Sequence, residues 1–245
     1  MVQGFRRIHP VSVRRTIVGM VRNPRSRRQL AVWLHVVTSA GWMTLALVLF
    51  ALFGLAATAP DPGTTSGAMA MAHYLDVVLL APLGNASAAT GLMLSLATPW
   101  GLTHHRWVLA KFVITLVQLY VGIFLLSPTL AAAAGVPGAR PSAALLAGTV
   151  AMASAIAFQA WLSVAKPGGK TRWSRDRRTG RPLRLPIAAP WVFVTAVLAP
   201  LTDIAVGTVL GFPAPFLSLV VLGVAIGVRR RALRELRTTA APARA

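Results

Sequence analysis

The chain has 245 residues, 56% of them hydrophobic and only 12% charged, with a net charge of +20. That charged share is about half the usual one for a soluble domain, so the sequence reads as a membrane protein. The absence of cysteine excludes disulfides, zinc-thiolate sites, iron-sulfur clusters and thiol nucleophiles, leaving histidine, methionine or carboxylate for any metal.

Residues 1–29 form a basic arm with eight arginines and no acid. Arg14 and Arg15 look like a twin-arginine export signal, but Arg22, Arg25, Arg27 and Arg28 interrupt the place where its apolar region would lie, which argues for a cytoplasmic arm beside anionic lipid. Residues 30–165 are expected to hold a four-helix transmembrane core. Its first span is Leu30 to Ala57, longer than the roughly 20 residues a crossing needs. A loop rich in proline, glycine and threonine is expected from Thr58 to Ala72, then a second span from Tyr74 to Ala97. Pro99 and Gly101 turn the chain into a third span from Trp107 to Leu126, which Ser127 and Pro128 are expected to end. A fourth span covers Ala143 to Ala165.

Residues 166–186 read as a basic cytoplasmic loop. Residues 187–228, broken at Gly211 to Pro215, read as a C-terminal helix pair whose second member is short, with a re-entrant pair as the competing reading. Residues 229–245 are a basic tail. The expected fold is thus an all-α, polytopic transmembrane helix bundle of about six spans. With six spans, 24 of the 25 basic residues fall on one side and Arg140 alone on the other. The positive-inside rule then places both termini in the cytoplasm. Basic segments that border spans are explained by insertion, so nucleic acid is not an expected partner; the bilayer, its anionic lipids and a membrane-protein partner are.

Ionisable residues inside spans mark packing or function. On the cytoplasmic side lie His35, Lys111, Gln159 and Ser163, with His104, His105 and Trp100 in the turn. Lys111, Thr115, Gln118 and Gly122 share one helical stripe, as do His35, Thr38, Ser39 and Trp42, while Gly84, Ser87, Gly91, Ser95 and Thr98 form a small-residue seam. His35 can hold a hydrogen bond between helices, ligate haem iron or relay protons; Lys111 can snorkel to the headgroups or meet an acidic group. On the outer side Met69, Met71, His73 and Asp76 offer thioether, imidazole and carboxylate groups suited to copper. A copper or small-solute transporter would use them as its mouth and the seam as its path. The motifs of hydrolases and of nucleotide-binding loops are absent from the sequence.

Through the segments WLHVVTSAGWM and TPWGLTHHRWVLAKFVIT, residues 30–128 resemble an uncharacterised actinobacterial integral-membrane family, a domain of unknown function. The first-span histidine followed by Gly-Trp, with a later tryptophan and lysine, is distantly similar to the copper-resistance D family and to membrane-bound, haem-containing protoporphyrinogen oxidases. The latter resemblance implies functional roles for His35 and Lys111 and a haem b cofactor. It supplies no second histidine within spans three to six.

Overall fold

A computed structural model describes residues 24–175, 188–210 and 215–239. Most of the basic arm, the second half of the basic loop, residues 211–214 and the end of the tail lie outside the described residues. The described chain is an all-α bundle. Its helices are α1 (Pro24–Thr58), α2 (Pro62–Leu75), α3 (Ala81–Ala97), α4 (Arg106–Val121), α5 (Ser127–Ala134), α6 (Ala143–Ala165), α7 (Pro190–Leu210) and α8 (Phe216–Thr239).

The region expected as a loop from Thr58 to Ala72 is instead helical from Pro62. Asp61 starts it: in extended conformation, its carboxylate accepts the Thr64 backbone N–H at 2.8 Å, and Pro62 occupies the first turn, where a missing N–H does no harm. That capping bond holds the Asp61 carboxyl below its ordinary range. The glycines and threonines that read as a loop are helical residues behind a strong cap.

Two prolines set the middle of the long rods. Pro82 and Pro128 each lack an N–H, and each ring presses on the carbonyl four residues back, Val78 or Phe124. The backbone widens there into π-helical turns, Asp76–Leu80 and Gly122–Leu126, with the Ala81 N–H bonded to Asp76 O and the Ser127 N–H to Gly122 O. The third rod therefore runs on through Pro128 to Ala134 instead of ending there. Ser127 and Asp76 meet at these two π turns, the hydroxyl donating to the carboxylate at 2.6 Å.

α1 is the central helix. It packs along α3 and α6, against α2 toward the outer end and against α7 on a further side, while α8 lies on α7 and α3. One apolar cluster, including Leu34, Met93, Leu96 and Phe193, joins α1, α3, α7 and α8. Another, including Phe53, Met69, Leu130 and Leu145, joins α1, α2, α5 and α6. Helix α4 is set apart: protein buries 11% of the apolar window of Arg106–Ala134, against 44% for Pro62–Ala97. Its Val117, Tyr120 and the neighbouring Phe124 are exposed, so polar contacts carry more of its docking.

Five rods are long and apolar enough to cross a membrane: Arg25–Thr58, Pro62–Ala97, Arg106–Ala134, Ala143–Ala165 and Pro190–Leu210. The last helix, α8, is apolar only from Phe216 to Val228. That stretch is roughly 20 Å long, short of the ~30 Å hydrocarbon core, while the helix itself continues to Thr239, into the segment read from the sequence as a basic tail.

Candidate functional site

His35 stands on the face of α1 that meets α3. Its Nδ1 lies 3.1 Å from Ser87 O and 3.1 Å from Thr90 Oγ1. A carbonyl only accepts, and the Thr90 hydroxyl spends its own proton on Ala86 O at 2.7 Å, so Nδ1 carries the hydrogen and Nε2 the lone pair. Ser39 donates to His35 O at 2.6 Å and meets Ser87 Oγ at 2.7 Å, which ties the same two helices a turn farther on.

The seam of α3 lets this happen because its residues are small, with no Cβ at Gly84 and Gly91. A Cβ at Gly91 would lie 2.9 Å from His35 Cε1, and one at Gly84 would lie 3.1 Å from Trp42 Cε2. At Gly84 and Gly91 the seam is therefore filled by the α1 side chains Trp42 and His35.

Lys111 opens a ladder that joins α4 to α6. Its Nζ donates to Ser163 Oγ at 2.7 Å, and Ser163 donates to Gln159 O at 2.9 Å. Thr115 donates to Gln159 Oε1 at 3.0 Å, Gln159 Nε2 donates to Gln118 Oε1 at 2.5 Å, and Gln118 Nε2 donates to Met152 O at 3.1 Å. The stripe read from the sequence on α4 thus faces α6, where Gln159 and Ser163 answer it. Of the described acids, Asp61, Asp76 and Asp203 lie elsewhere, so this layer holds a cation without a carboxylate. An ammonium has three donors, and Ser163 takes one of them.

The structure does not gather the four outer candidates. Met69 and Met71 are two residues apart on α2 and point to opposite sides: Met69 is 1% exposed, within the Phe53 cluster, and Met71 is 51% exposed. Asp76 is occupied by Ser127. His73 is half-buried, and its Nδ1 has no hydrogen-bond partner among the described residues. No group of three or more histidine, aspartate or glutamate side chains placed to hold a metal occurs among the described residues.

Asp203 caps α8, accepting the backbone N–H of Leu217 at 2.9 Å and of Ser218 at 2.8 Å. Arg140 reaches Ala59 O at 3.5 Å. Sequence reasoning also missed Thr90 and Ser127; their signal was position, one helical turn from Ala86 and directly after a π turn.

The α3–α4 turn is clamped to the segment after α6. Thr171 N donates to His104 O at 2.9 Å and Arg106 N to Gly169 O at 3.2 Å, forming the His105–Lys170 bridge. Trp100 packs edge-on against Trp107 at 5.4 Å. Both ring nitrogens of His104 are buried and lack partners among the described residues. Burial first, then the charges of Arg229 and His105, holds this imidazole below its ordinary value of 6.5. An unfolded chain takes up the proton near that value and the folded one does not, so the contribution is complete above pH 6.5 and drains as pH falls below it. Unfolding midpoints followed down through pH 6.5 should fall more steeply in the wild type than in His104→Gln; equal slopes refute the assignment.

Fold and site together are those of a polytopic α-helical bundle with rods apolar enough to cross a membrane, one polar seam joining α1 to α3 and a second joining α4 to α6. No family model, curated protein or solved structure matches the chain.

Proposed function

We propose that the protein resides in the cytoplasmic membrane with both termini in the cytoplasm, and that His35 would hold the iron of haem b, with Lys111 holding an acidic group of the cofactor. The carrying observation is the Nδ1–H bond of His35 to Ser87 O. Such a bond to a carbonyl is the usual support of a metal-bound imidazole, and it leaves the Nε2 lone pair for a ligand. The donor set fits on this side: one oriented imidazole and one ammonium with two donors to spare. Among the other described histidines, His73 lies on α2 and His104 and His105 lie in the turn, so ligation through His35 alone is the form proposed. Haem bound there supplies one-electron transfer. The resemblance of the His35 and Lys111 segments to haem-containing protoporphyrinogen oxidases supports the same reading.

The test is the absorption spectrum of protein produced with haem supplied. A Soret band that His35→Ala abolishes and Lys111→Gln weakens is expected; no band in the wild type overturns the proposal. Sidedness is tested separately, by a reporter fused after Ala245. A second reading, a structural subunit of a membrane complex, draws on the closed Lys111–Gln159–Gln118 ladder and on the exposed apolar face of α4. It predicts a defined larger assembly in mild detergent and no Soret band.

A further inference from the structure

We propose that the platform made by the α3–α4 turn and the segment following α6 binds the phosphate of an anionic lipid headgroup through Lys170 and Arg175. This rests on the membrane-spanning reading of the helices and is independent of the haem reading. A cavity of about 360 Å³ opens there, lined by Lys170, Thr171, Ser174 and Arg175.

The two hydroxyls of the lining are spent inward, Thr171 donating to Thr103 O and Ser174 to Thr171 O at 2.7 Å. They stiffen the wall, so that Lys170 and Arg175 are the lining residues that carry charge. More cations converge on the same platform. The stem of Arg106 packs on Gly168, whose φ of +86° keeps a side chain away; a Cβ there would lie 3.3 Å from Arg106 Cβ and Cδ. Lys166 and Arg28 flank the Trp100 ring, their charged groups 5.6 and 5.8 Å from its centroid. Arg172 lies over Trp173 at 5.1 Å.

No described carboxylate neutralises this cluster, since Asp61, Asp76 and Asp203 each serve another partner. In the sequence Asp176 is the lone acid between Lys166 and Arg184. Cations on a stiff backbone, with no carboxylate among the described residues to neutralise them, select a phosphate. Trp100 and Trp173, 37% and 42% exposed, are side chains of the headgroup level, which favours a lipid over a free anion as the source.

The experiment uses the full chain in nanodiscs of phosphatidylcholine, with phosphatidylglycerol titrated in and thermal stabilisation read out. Wild type is expected to gain stability with phosphatidylglycerol, and Lys170→Gln/Arg175→Gln to need roughly thirtyfold more of it, about a fivefold loss per cation. Arg140→Gln, at the other end of the bundle, should behave as wild type. Should the double variant not fold, each single substitution is read in the same way against a roughly fivefold loss.

Inorganic phosphate added to pure phosphatidylcholine discs is the second arm. If it stabilises the wild type as well as the lipid does, the lipid assignment is overturned; if it does nothing, the lipid is supported. A double variant titrating like wild type also overturns the proposal. Alkaline carbonate extraction of membranes reports insertion on its own, so failure of the spanning reading shows there and not in the lipid titration.

Discussion

Gln159→Leu should loosen α4 from α6, lowering the stability of the folded protein by about 2 kcal/mol in detergent. The leucine takes away the acceptor of Thr115 and the donor to Gln118 Oε1, leaving that carbonyl oxygen without its partner while Gln118 Nε2 stays held on Met152 O. Interhelical hydrogen bonds in membranes are individually modest, averaging about 0.6 kcal/mol, so the loss of two bonds would cost little by itself. The remainder comes from Gln118, which is 4% exposed and cannot turn to water. Because α4 has little apolar packing to fall back on, the effect should concentrate there. Denaturant unfolding and amide exchange along Arg106–Val121 will read it; unchanged exchange on α4 would show that apolar contact holds this helix.

Asp203→Ala should release the start of α8 with a penalty of about 2 kcal/mol. The carboxylate holds two backbone N–H groups that no earlier turn of α8 can satisfy, and its charge lies at the positive end of that helix. The loss should appear as fast exchange at Leu217 and Ser218 while α1 to α6 stay protected. Asp203→Asn keeps an acceptor and should recover part of the protection. A uniform loss across all helices would instead make Asp203 a residue of the global core.

Much of the bundle was legible because apolar length is a coarse signal, and the stripe of Lys111, Thr115 and Gln118 survived because α4 is regular from Arg106 to Val121. Three features were not legible, each for a physical reason. The start of α2 was hidden because Gly63, Thr64 and Thr65 have loop composition, and only the Asp61–Pro62 cap makes them helical. The continuation past Pro128 was hidden because a π turn absorbs a proline that would end an α-helix. The role of Asp203 was hidden because its partners are backbone amides fourteen and fifteen residues away, and side-chain patterns carry no record of them. His35 was singled out from its depth alone; its anchor on Ser87 and Thr90 required the packing of α1 on α3.

Each π turn holds one residue more than the α-helical turn it replaces. An extra residue rotates everything beyond it by about 100° relative to an uninterrupted helix. The inward aim of Met69 and Ala72 is thus indexed by Pro82, and that of Leu130 by Pro128. Restoring a continuous α-helix by Pro82→Ala alone would turn the α2 arm of that rod by this angle, so that Met69 would leave the Phe53 cluster, whereas deleting Val77 in the same background would keep its aim. Chains sharing this architecture should therefore keep or lose each proline together with a single-residue change in rod length, a coupled event that alignment gaps can reveal.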